Sequence, residues 1–259
     1  MNRKMKRIAV CVLTLAMLAG LLGACSTVPA QPSAEISSSP AATPSVSESA
    51  TPTPSETASV SPSAEQSVQP SKSAEVSDEE IRGTVEGRTY KNSVAGFELT
   101  YPEGYDINDR EGIEETYADV ISSAKETYTD PAELKKALQL NVPVSSATTQ
   151  SKEIYSGMYI VVADISDELP VDVMDYANST VKHINETSTT AKMEEAVPVK
   201  IGGVDGALAE GTQTFGEDSY PEKEYYCIRG NYLVAMVLQG GDEDSIGQIM
   251  KALDTVKMY

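Results

Sequence analysis

The sequence predicts an α+β domain, an antiparallel sheet flanked by helices, carried behind a disordered stalk. Three observations predict it. Apolar runs with strand spacing and stripes with helical spacing alternate after residue 89, where all 13 Tyr and both Phe lie. Short glycine-bearing links join the last runs as hairpins. Residues 26 to 82, by contrast, contain no aromatic residue.

The elements follow in chain order. "FELTYP", residues 97 to 102, sets Phe97, Leu99 and Tyr101 on one face against Glu98 and Thr100, a half-buried strand ended by proline. "GIEETYADVISSAKETY", residues 112 to 128, spaces Ile113, Tyr117, Val120, Ile121 and Ala124 as one helix. "DPAELKKALQL" starts a second helix, with Asp130 as cap and Pro131 in the first turn. "VPVSSATT", 142 to 149, reads as a strand. "GMYIVVADI", 157 to 165, is apolar on both faces, as a central strand is. Residues 170 to 186 form a helix striped by Val173, Ala177, Val181 and Ile184. "VPVKI" and "VDGALAEGTQTF" pair across Gly202-Gly203, and two further strands meet at Arg229-Gly230-Asn231. A helix opened by Asp242, Glu243 and Asp244 and a short terminal strand close the chain.

The "TYKNSVAGFELTYPEGY" lead, residues 89 to 105, followed by a hairpin and an amphipathic helix, resembles the PsbP-like α/β/α sandwich of secreted bacterial lipoproteins. The resemblance spans about residues 88 to 259, and Tyr105 stands where that family usually has tryptophan. It implies the sandwich fold and a docking or stabilising role. It carries no catalytic residue over to this chain.

The first 25 residues give an address. Arg3, Lys4, Lys6 and Arg7 precede an uncharged run from Ile8 to Ala24, the pattern of a secretory signal. Leu22-Gly23-Ala24-Cys25 resembles a bacterial lipobox, which implies a lipid on the Cys25 sulfur and cleavage before it. Two acyl chains, at about 0.8 kcal/mol per buried CH₂, hold more firmly than one. Whether cleaved or kept as a membrane helix, the leader places the rest outside the cytoplasm. The expected divisions are a signal peptide over 1–24, the lipidated cysteine and a Ser/Thr/Pro/Ala-rich tether over 25–82, and a globular domain over 83–259. The tether cannot bury enough apolar surface to offset its ordering entropy. As a coil of about 55 residues it spans roughly 40 Å.

Composition narrows the chemistry. The net charge is −19, which repels nucleic acid and anionic headgroups. The expected partners are therefore the membrane, through the lipid, and an envelope or secreted protein, with no nucleic acid. His183 is the only histidine, so zinc motifs needing two are excluded, and no G-x-S-x-G elbow surrounds a serine. Cys227, in a strand centre, reads as a small buried hydrophobe. No cofactor, metal or catalytic residue is assigned. Exposed carboxylates are expected at Asp106, Asp109, Glu111, Glu114 and Glu115, at Glu217 and Asp218, and at Asp242, Glu243 and Asp244. "DINDREG" lacks the twelve-residue calcium loop. Tyr220, Tyr225, Tyr226 and Tyr232 form a candidate recognition surface on the last hairpin.

Two functions remain. One is a tethered, non-catalytic docking module at the cell membrane. The alternative is a carboxylate-dependent hydrolase of envelope glycan, which requires two carboxyl groups about 5 to 9 Å apart in a cleft. The address has its own test: labelled palmitate enters the wild-type protein and not Cys25→Ala, and label retained by that variant refutes lipidation at Cys25.

Overall fold

A computed structural model of the protein describes residues 76–151 and 155–259. The signal peptide, Leu22, Gly23, Ala24, Cys25 and the tether up to residue 75 lie outside the described residues. Among the described residues no helix is long and apolar enough to cross a membrane.

Helical structure is present within the span that composition assigns to the tether. Helix α1 (Asp78–Arg82) occupies the end of the expected tether. Ser77 and Glu80 cap it reciprocally, and Ile81 is buried in the main core. One apolar residue, Ile81, is too weak a stripe for periodicity to register.

Strands β1 (Thr84–Glu86), β2 (Thr89–Asn92) and β3 (Phe97–Thr100) form an antiparallel meander. The C-terminal strand β12 (Lys257–Met258) joins its far edge, pairing Met258 with Phe97. As the alternation predicts, Phe97, Leu99 and Tyr101 are buried. The Arg88 guanidinium donates to the carbonyls of Tyr101, Pro102 and Tyr105, which fixes the turn after β3. The Tyr-Pro-x-Gly-Tyr motif thus serves as a structural corner.

The larger sheet has eight antiparallel strands. Its path runs β4 (Tyr105–Asn108), β5 (Ser145–Thr149), β6 (Ser156–Asp164), β11 (Tyr232–Gly240), β10 (Asp218–Arg229), β9 (Val204–Phe215) and β7 (Ala191–Met193), and β8 (Val197–Ile201) also pairs with β9. Gly202 and Gly230 hold φ of +55° and +58° in the two expected hairpin turns, where a side chain costs strain.

Both faces of this sheet are covered. On one, Met158, Ile160, Cys227, Val234 and Met236 share a core with Tyr90, Phe97 and Leu99 of the small sheet and with Ile246 and Ile249 of the C-terminal helix. On the other, Val161, Ala207, Ala209, Leu233 and Ala235 pack under the Ala177/Val181/Ile184 stripe expected over 170–186. The fold is α+β, and one covering layer combines a helix with the small sheet.

The helix expected over 112–128 is two. It breaks at Tyr117, whose φ and ψ of −103° and 17° leave the helical region, between α2 (Arg110–Thr116) and α3 (Ala118–Thr127). The break lets Tyr117 bury its ring with Ile113 and Val120. Helix α4 (Pro131–Asn141) has the expected Asp130 cap, α5 spans Val173–Thr187, and α6 (Glu243–Met250) is boxed by Asp242 and Ser245. Strand β7, three residues long, carries no sequence signal.

If α1 belongs to the domain, Ile81→Ala costs about 2 kcal/mol of unfolding free energy in denaturant titration. A change within error places α1 outside the cooperative unit.

Candidate functional site

Strand β10 decides where polar groups enter the interior. Tyr225 and Cys227 face the main core, so Glu222, Glu224 and Tyr226 face α5. Both carboxyl side chains are enclosed, with residue exposures of 2% and 1%. They occupy successive inward positions within hydrogen-bonding reach of one another. Gln239, directly across on β11, donates its Nε2 to Glu222 at 2.6 Å. Tyr226 donates its hydroxyl to Glu224.

The row through Glu222 explains how two carboxyls fit. Across the sheet it reads Gly157, Gln239, Glu222, Gly211. A Cβ on Gly157 would stand 3.1 Å from the Tyr155 hydroxyl, so Tyr155 takes the place of a side chain there. The next row reads Tyr159, Val237, Glu224, Ala209. The Tyr159 hydroxyl is buried and has no hydrogen-bond partner among the described residues. Tyr176 of α5 sets its ring 6.3 Å from that of Tyr226. The result is a patch of two carboxyls, the Gln239 amide and five phenols, counting Tyr117.

Burial sets the protonation of this patch. It raises the pKa of Glu222 well above the ordinary range, and the neighbouring Glu224 charge raises it further, against the Gln239 hydrogen bond. Burial also raises Glu224, opposed by its hydrogen bonds to Glu222 and Tyr226. Two charges in contact here are costly, so the pair keeps a proton at a pH where an exposed glutamate has lost it. Burial pushes the Tyr155 phenol up to about 12, with the Glu222 charge adding to it. Tyr159 rises by burial and by both glutamates.

The tyrosines singled out in the sequence are not brought together. Tyr225 and Tyr226 are buried on opposite faces of β10, as alternation requires, and neither offers a recognition surface. Tyr232 lies half-buried against the main core at the far end of the hairpin pair. Tyr220 remains near the surface, its ring 5.6 Å from that of Phe215, a partner the sequence reading passed over. Cys227 is buried and unbridged, its thiol pushed up to about 12 by desolvation. His183 is half-buried on α5.

The expected exposed carboxylates are at the surface or half-exposed. Asp109 and Asp242 cap helices, and Asp106 accepts from Gln150. Glu114 pairs with Arg82 and Arg110 at 3.1 and 3.0 Å. Glu222 and Glu224 escaped the reading because "EKE" in a strand suggests a solvated face. A signal was present: β9 and β11 are apolar on the same side, which forces inward whatever stands opposite Tyr225 and Cys227. The pair does not match the glycosidase expectation, since its groups touch and are enclosed.

No protein-family model matches the chain, and no curated protein matches it. The fold is similar to that of solved structures at low identity. The cyanobacterial PsbP of Synechocystis aligns with 68% of this chain and 98% of its own, at 14% identity and a TM-score of 0.41. LpqN of Mycobacterium tuberculosis, described as involved in cell envelope biogenesis, aligns with 62% of this chain and 82% of its own, at 7% identity and a TM-score of 0.36. A protein of unknown function from Pseudomonas aeruginosa covers 40% of this chain, at 10% identity and a TM-score of 0.31.

Two conservative changes separate the phenols. Tyr226→Phe strips Glu224 of a donor and lowers stability by about 1–3 kcal/mol, whereas Tyr159→Phe removes an unpartnered hydroxyl and is neutral or stabilising. Equal losses in thermal unfolding contradict these assignments.

Proposed function

We propose that the chain is a lipid-anchored, extracytoplasmic docking module whose globular domain is non-catalytic. The anchor rests on Leu22-Gly23-Ala24-Cys25 at the end of an apolar leader. One observation carries the non-catalytic reading. The contacting carboxyl pair, the strongest acid–base candidate among the described residues, is enclosed and held by Gln239 and Tyr226. General acid–base work needs groups within reach of substrate.

Docking is best supported at the tip of the β9–β10 hairpin. The ladder of β10 with β11 begins at Glu222, so residues 218 to 221 extend beyond it, held by β9. Phe215 and Tyr220 form a ring pair at that end, next to exposed Glu217 and Asp218. Rigid aromatic rings beside carboxylates suit a protein partner with an apolar pocket and a basic rim. Pro221, which lacks an N–H, blunts the free edge against strand addition.

The test is crosslinked capture from envelope preparations. Phe215→Ala with Tyr220→Ala cuts specific capture at least tenfold while thermal stability falls by only a few degrees. Equal capture by the variant removes the hairpin tip from the proposal. A wild-type domain that captures nothing specific removes docking itself.

A further inference from the structure

We propose that Glu222 and Glu224 are a proton switch: sharing one proton they allow the α5-side layer to close, and losing it loosens that layer. The geometry leaves little alternative. The two side chains leave the same face of β10 at successive inward positions and are within hydrogen-bonding reach. Gln239 offers Glu222 an amide donor, and Tyr226 offers Glu224 a hydroxyl. These neutral donors support one negative charge and a carboxylic acid, and they do not supply a counterion for a second charge.

Among the described residues, these groups surround the pair. Strand β9 presents Ala209 and Gly211, and β11 presents Val237 and Gln239. Strand β6 and the segment before it bring Tyr159 and Tyr155, the junction of α2 and α3 brings Tyr117, and α5 brings Tyr176 beside Tyr226. Among the described residues, no Lys or Arg charge acts on either carboxyl. Lys223, between them in sequence, points to the other face, where it pairs with Glu210 and Glu243. Lys192 on β7 donates its ammonium to the Asn185 carbonyl.

The sign of the linkage follows. Both folded-state pKa values lie above the unfolded value of about 4.3. The stabilising contribution is therefore complete below that value and is lost as the pH climbs through the folded values. The loosening is expected at the boundary between the α5 core and the Tyr117 cluster, where Tyr155 and Tyr159 are only half-buried.

The experiment uses the exported chain without its leader and measures urea unfolding from pH 5.5 to 8. That window lies below the range where the Cys227 thiol adds a similar linkage. One proton held by the folded state and released on unfolding raises the unfolding constant tenfold per pH unit over the interval that it spans. Glu222→Gln or Glu224→Gln alone reduces the dependence, and the double variant removes it. In wild type, hydrogen exchange of β6, β10 and β11 amides accelerates with pH beyond the intrinsic rate, and in the double variant it does not. A wild-type unfolding constant independent of pH, or a double variant with the wild-type slope, overturns the switch. If the double variant does not fold, the single variants decide: wild-type slopes in both refute it.

Discussion

The central sheet is covered on both faces, and that constraint governs everything else in the domain. A strand in such a sheet has no solvent side to which polar residues can be sent. Strands β6 and β11 accept this with unbroken apolar runs, Ile160 to Ala163 and Leu233 to Leu238. Strand β10 does not. Its outer third runs beyond β11 as a hairpin arm, where Asp218 and Ser219 are exposed, and the rest crosses the centre of the sandwich. The change from arm to core falls at Glu222, so two glutamates enter the layer where the strand ceases to be an arm.

The surroundings are arranged to tolerate them. Glycine or alanine stands beside each carboxyl on β9, glycine lies at the far end of the Glu222 row, and phenols fill the remaining space. Phenols combine apolar area with a hydroxyl, so they close the layer without leaving every carboxyl oxygen unpartnered. The fit is incomplete, because the Tyr159 hydroxyl is left over. An apolar pair at 222 and 224 would remove the desolvation cost altogether. The arrangement therefore trades stability for a protonation-dependent interior, and it keeps titrating carboxyls away from any substrate.

Much of the fold was legible, and the reasons are local. Phe97, Leu99 and Tyr101 announce β3 by alternation, Asp130-Pro131 announces α4 by capping chemistry, and Gly230 announces the last turn by its backbone freedom. The misses have physical causes too. Helix α1 has a single buried residue, and the break at Tyr117 preserves helical spacing on both sides, so periodicity alone cannot detect either. The four tyrosines grouped by sequence do not form one surface. On one strand Tyr225 and Tyr226 necessarily face opposite ways, and β10 and β11 separate Tyr220 from Tyr232 by the length of the hairpin.

The same parity argument recovers what was missed in the interior. Once Cys227 is assigned to the main core, Glu222, Glu224 and Tyr226 must share the other face, and α5 carries an apolar stripe that needs a face to cover. Two charged residues opposite an apolar stripe form a local conflict, and such conflicts mark function or strain more often than error. Here the conflict is resolved by a proton, because a neutral carboxyl beside an amide and a phenol is compatible with a dry layer and a carboxylate pair is not. Packing and protonation are thus one property of this domain: the helix that closes the sandwich does so over groups that must first be discharged.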